Sequence, residues 1–155
     1  MYSDQELMES RTINPFARST EAVTEEEVIS LVQRFYAKVR HDEDLAPVFE
    51  SYAVDWDKHL PKMVDFWSSA LRGTGRYKGA PMTRHIALHG LTAQLFHRWL
   101  ALFREATAES GNALLQQRAD DLARRMAGGL WHGYQMAHAE AADTAFGSLE
   151  HRCHA

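Results

Sequence analysis

The stretch GRYKGAPMTRHIALHG, residues 75–90, holds a glycine-rich loop, a proline at Pro81 and two histidines, His85 and His89, four residues apart. Proline suits the first turn of a helix and glycine suits its end. A short helix is therefore predicted from Pro81 to about Leu88, closed by Gly90. Residues four apart share a helix face, so both imidazoles point the same way. Three readings stay open at this point: a metal-binding pair, one ligand of a larger site, or two surface histidines. Against a zinc pair, no third ligand is evident in the neighbouring sequence.

Upstream of this stretch, Thr24 and Glu27 form a capping box. Val28, Leu31, Val32, Phe35 and Val39 follow at three- and four-residue spacing, which predicts a helix of about 25 Å ending near Arg40. HDEDLAPVFE (41–50) reads as a turn and one short helical piece with Pro47 in its first turn. Asp55 can cap a second long helix carrying Trp56, Leu60, Met63, Phe66, Trp67, Ala70 and Leu71, in which Pro61 is tolerated near the start. Gly73, Gly75 and Gly79 keep the next segment out of a helix. Downstream, Thr92 caps a helix with Leu95, Phe96, Trp99, Leu102 and Phe103 inward. A last helix runs from about Asn112 to Ala139 with Leu115, Arg118, Leu122, Met126, Leu130 and Trp131. Gly128-Gly129 is its weak point, at roughly 1 kcal/mol per glycine relative to alanine. No strand pattern and no repeat is found. The expected architecture is all-α, with four long helices and two short ones, as one domain over 24–139. A loose arm (1–23) precedes it and a tail (140–155) follows.

The chain has 155 residues, 45% hydrophobic and 25% charged, which are values of a globular domain. Four tryptophans and seven phenylalanines can fill a core or line a pocket for a flat apolar ligand. A net charge of −4 argues against a nucleic-acid partner. No signal peptide and no membrane-spanning run is read, and the single cysteine, Cys153, excludes an internal disulfide. A reducing cytoplasm is the expected home. Phosphate-binding glycine loops, a nucleophile elbow, HExxH, paired ExxH motifs and a CxxCH attachment are all missing. One-histidine ligation of a haem suits the remaining inventory, because burial of an apolar macrocycle supplies most of the binding.

FYAKVRHDEDLAPVF (35–49), WDKHLPKMVDFW (56–67), the G-x-G-x-Y-x-G-x-P-x-x-x-H run ending at His85, and FHRWLALF (96–103) occur in this order. Together they resemble the truncated haemoglobins of the third group, over roughly Thr24 to Ala139. The resemblance implies a shortened globin, a two-over-two helical sandwich around a non-covalent haem b (iron protoporphyrin IX). It implies His85 as the iron ligand and gives His89 no coordinating role. A ligating imidazole needs an acceptor for its other ring nitrogen, and the Pro81 carbonyl, one turn earlier, has no competing N–H of its own.

On the distal side the resemblance implies Tyr36, Trp99 and His59. Tyr36 and Trp99 would donate to bound dioxygen, and His59 would donate, gate the pocket or bind iron itself. Each has a plain packing alternative on its helix. Met63 and Phe66 are expected as pocket walls. Lys62 and Arg84 are candidate partners of the haem propionates, as are Arg72, Arg76 and Lys78, against the alternative of solvated side chains. The implied ligands are O2, CO, NO, cyanide and similar small molecules. NO dioxygenation or peroxide turnover would need an unidentified reductase, so enzymatic activity is left open. A non-catalytic gas-binding or sensing module is the alternative, and a haem-free helical metal or interaction domain is a third.

Overall fold

The computed structural model describes residues 22–86 and 88–153. Among them are six helices: α1 (Glu25–His41), α2 (Ala46–Ser51), α3 (Trp56–Arg72), α4 (Pro81–Ile86), α5 (Ala93–Ala108) and α6 (Ala113–Cys153). Four are long and two are short, as expected from the hydrophobic periodicity. The predicted caps form. Thr24 accepts from the Glu27 amide while Glu27 accepts from the Thr24 amide, which completes the capping box of α1. Asp55 accepts from the Asp57 amide at the head of α3, and Thr92 from the Leu95 amide at the head of α5. Gly73 ends α3 at φ +68, a left-handed conformation that glycine adopts without steric penalty. Pro61 lies in the second turn of α3, where its missing N–H removes the bond to the Asp57 carbonyl.

Two expectations need correction. The last helix does not stop at Ala139 but runs on to Cys153; AEAADTA is rich in alanine, the strongest helix former, and holds no stop signal. Of the residues expected inward, Leu115 and Leu130 are buried, Leu122 packs half-buried against the core and Met126 lines a cavity. The residues that go fully inside are Leu115, Ala119, Ala123 and Ala127, spaced by four so that small side chains let neighbouring helices come close. Of the arm, residues 1–21 lie outside the described residues, as do the last two residues of the tail. The two arm residues that are described are held rather than loose. Val23 is fully buried, its carbonyl accepts from Arg72 Nε at 3.1 Å, and the Ala22 carbonyl accepts from Asn112 Nδ2 at 2.8 Å.

Packing follows a two-over-two arrangement. α1 packs on α3 and α5, α5 on α6, and the short α4 on α6. The core is built on Phe35, whose ring meets those of Tyr36, Trp99 and Phe103 edge-on at 4.8, 5.2 and 5.1 Å. Phe103 is stacked between Trp67 and Trp99, at 4.7 and 5.3 Å. Each such side chain contributes roughly 1.5–3 kcal/mol through burial. Val28 to Val39 of α1, Trp67 and Leu71 of α3, Leu102 to Ala106 of α5 and Leu115 to Ala123 of α6 close on this core. Beside it the helices leave a cavity.

Candidate functional site

The cavity has a volume of about 540 Å³ and a mainly apolar wall, within the usual range for a small-molecule or cofactor site. Met63 and Phe66 of α3, Leu95 and Phe96 of α5, and Met126 and Leu130 of α6 supply much of that wall. All eight side chains expected at the site line it: Tyr36, His59, Lys62, Met63, Phe66, Arg84, His85 and Trp99. Four different helices bring them together, so no local spacing could have done so.

His85 answers the question raised by its neighbour. Its Nδ1–H donates to the Pro81 carbonyl at 2.6 Å, a bond between residues one helical turn apart. That bond assigns the proton to Nδ1 and leaves the Nε2 lone pair for a ligand. His89 does not line the cavity. Its ring lies edge-on to His138 at 5.6 Å, and its backbone is held by Tyr52. The Tyr52 hydroxyl donates to the His89 carbonyl at 3.1 Å and accepts from the His89 amide at 2.7 Å. Among the described residues no group of three or more His, Cys, Asp or Glu side chains could hold a metal ion, so the zinc-pair reading gains no partner.

Three polar groups face the cavity without a hydrogen bond to any described residue. Nε2 of His59 is buried and unpartnered. The Tyr36 hydroxyl and the Trp99 indole N–H form no hydrogen bond among the described residues, and both residues line the cavity. Buried polar groups are rarely left so. One such buried atom, with two further donor residues lining the same cavity, points to a ligand with complementary atoms. Burial raises the Tyr36 phenol above its ordinary range, which keeps it protonated and a donor. Burial also lowers the His59 pKa, assisted by the positive charges of Lys62 and Arg84. The imidazole is thereby held neutral.

Two further rings, missed by the sequence reading, fix His59. Tyr36, Phe49 and Trp56 meet its imidazole at 5.0, 6.2 and 5.6 Å, all edge-on. Trp56 is in turn covered by the Arg40 guanidinium at 4.9 Å. Trp56 stands one helical turn before His59 in α3, within reach of it by spacing alone, whereas Phe49 comes from α2 and no local spacing connects it to His59.

The cations sort into two groups. Arg72 does not line the cavity; it donates to the Glu25 carboxylate at 2.6 Å and to the Val23 carbonyl. Arg76 reaches the cavity, yet it is engaged by Glu25 and, at 3.4 Å, by Asp65. Glu25 thus holds both arginines away from a role as the readiest propionate partners. Lys62, Lys78 and Arg84 line the cavity and form no ion pair among the described residues. An apolar slot, one imidazole with a free Nε2, unpaired polar atoms and unpaired cations fit a haem.

The family model described as bacterial-like globin matches residues 21–130. The chain is 34% identical over 106 residues to the group 3 truncated hemoglobin ctb of Campylobacter jejuni, a match spanning 63% of this chain and 84% of that protein. The crystal structure of a group III truncated hemoglobin from Campylobacter jejuni aligns with a TM-score of 0.66 at 31% identity, over 74% of this chain and 91% of that one. Among the described residues no helix is long and apolar enough to cross a membrane. By family match, identity and fold, the chain belongs to the bacterial-like globins, among the truncated haemoglobins of the third group, a family that binds small gases through haem.

Proposed function

We propose that the cavity holds haem b on His85 and presents Tyr36, Trp99 and His59 to a small ligand, so that the protein carries out redox chemistry on dioxygen, nitric oxide or peroxide in the cytoplasm. The observation that carries this reading is the buried His59 Nε2, without a hydrogen bond among the described residues, in a cavity that Tyr36, Trp99 and His85 also line. When bound, the haem supplies an iron centre able to take up O2, CO, NO or, in the ferric state, cyanide and similar anions.

The Pro81 carbonyl fixes the tautomer and orientation of His85 and makes Nε2 a better donor to iron. Tyr36 and Trp99 each offer one proton to an acceptor with partial negative charge. A hydrogen bond to a charged group is worth roughly 1.5–3 kcal/mol. Each donor would slow ligand release roughly 10- to 150-fold. Two together hold dioxygen too firmly for delivery, which favours reaction in place over transport. His59 stays neutral, so it can donate or accept at Nε2 according to its tautomer. Lys62, Lys78 and Arg84 supply charge for the propionates. The lone cysteine suits a reducing compartment. Turnover would need electrons from a separate reductase.

Two measurements test this. Absorption spectra of the ferric, ferrous and carbon monoxide forms should show a haem with gas access, and His85→Ala should abolish normal proximal coordination. Unchanged spectra and full haem retention in that variant would overturn the assignment. Stopped-flow mixing of the oxygenated protein with nitric oxide should give nitrate and ferric haem rapidly. Slow decay would remove the dioxygenase arm.

A further inference from the structure

We propose that Asp42 and Arg98 are a positioning pair that sets where the Tyr36 hydroxyl and the Trp99 indole stand in the cavity. The inference rests on reading the cavity as a haem and gas site. Asp42 follows α1 directly, and its side chain is only 5% exposed. Its Oδ1 accepts from Nε of Arg98 at 2.7 Å and is ion-paired with Nη2 at the same distance. Its Oδ2 accepts from the amides of Leu45 and Asp44, at 3.0 and 3.2 Å, and its carbonyl accepts from the Ala46 amide at 3.0 Å. One buried carboxylate thus joins the end of α1, the start of α2 and the middle of α5.

Those three elements are the ones that bring Tyr36, Phe49 and Trp99 to the cavity. Arg98 precedes Trp99 in α5, and neighbours on a helix point about 100° apart. Anchoring Arg98 on the outer side therefore fixes the roll of α5 that aims the indole inward. A planar guanidinium that donates from Nε and rests Nη2 on the same oxygen has a defined orientation, which a single ammonium does not. Burial pushes the Asp42 carboxyl up, but the bonds from Arg98 and the two amides outweigh it, and the pKa stays below the ordinary value. A buried ion pair of this kind is weak evidence for added stability and better suited to fixing one arrangement. Nothing in the packing of the core requires it: Phe35, Trp67 and Phe103 close without it.

The test uses the haem-loaded protein. Dioxygen release is timed by stopped-flow displacement with carbon monoxide, and the C–O stretching band of bound carbon monoxide is recorded by infrared spectroscopy. Arg98→Met should release dioxygen roughly three- to tenfold faster, as expected for coupling within one network, and should shift or split the band. Arg98→Lys should fall between Arg98→Met and the parent. In a Tyr36→Phe/Trp99→Phe background, which removes the donors, Arg98→Met should change neither readout. An unchanged rate and band in Arg98→Met overturns the proposal, as does a change that persists without the two donors. Arg98 is 44% exposed, so its replacement leaves the core intact. Should Arg98→Met nevertheless fail to load haem, Arg98→Lys decides, and parental behaviour there counts against the pair. A parent chain that takes up no haem refutes the haem reading instead.

Discussion

At the packed half of the molecule, Leu31 and Phe35 of α1, Trp67 and Leu71 of α3, Phe103 and Ala106 of α5 and Leu115 and Ala119 of α6 are all buried against one another. At the hollow half, the same helices continue with equally apolar residues. There Met63, Phe66, Leu95, Phe96 and Trp99 are only half-buried, because they border the cavity. Hydrophobic character does not separate the two halves. What separates them is whether a protein side chain fills the space opposite, and a globin leaves that space to its cofactor. The packed half fixes how the helices cross, and the hollow half inherits its shape.

The sharpest way to break this contrast is truncation on each side. Phe103→Ala removes a ring stacked on two tryptophans and should cost roughly 3–5 kcal/mol, whereas Leu95→Ala should cost roughly 1–2 kcal/mol in the haem-free protein. Urea midpoints of the two variants would show it. Equal losses would mean that the cavity is collapsed in solution. Next in size, Tyr36→Phe should leave the urea midpoint nearly unchanged while speeding dioxygen release roughly 10- to 150-fold. If neither Tyr36→Phe nor Trp99→Phe alters release, the donors have been wrongly assigned.

A smaller effect concerns the glycine loop between the halves. Glu25 accepts from Ser68, Arg72 and Arg76, and the bond from Arg76 leads in holding its pKa below 4.5 against the opposing effect of burial. A depressed carboxyl contributes stability above its unfolded value and loses it as pH falls through the folded one. The gap in midpoint between the parent and Glu25→Gln should thus be widest above pH 4.5 and close in more acidic solution. A gap independent of pH would rule out the ionised network. Smallest of all, Lys62→Met or Arg84→Met should raise the rate of haem loss to apomyoglobin by up to about fivefold, as exposed ion pairs are worth about 1 kcal/mol at most.

What could be read from the chain itself is largely what acts within one helical turn. The Thr24 capping box, the Thr92 cap, the inward stripe of α1 and the Pro81 acceptor for His85 are bonds or contacts between residues three or four apart. Periodicity encodes them directly. The site residues came from motifs resembling a family, because Tyr36, His59, His85 and Trp99 sit on four helices that only the tertiary fold brings together. Other features escaped altogether. The bond from Arg98 to Asp42 spans 56 positions, and the ring box around His59 needs Tyr36 and Phe49 to arrive from two other helices. The alanine stripe of α6 was overlooked for a different reason: alanine marks close approach, while a search for core residues weighs large side chains.

Tyr52 stands at the end of α2, 41% exposed, with its single oxygen satisfying both backbone groups of His89. Deleting that one atom, as in Tyr52→Phe, would untie an amide and a carbonyl together, just beyond the helix that bears His85. The ring of elements around the pocket is thus buckled shut by a phenol that solvent can reach.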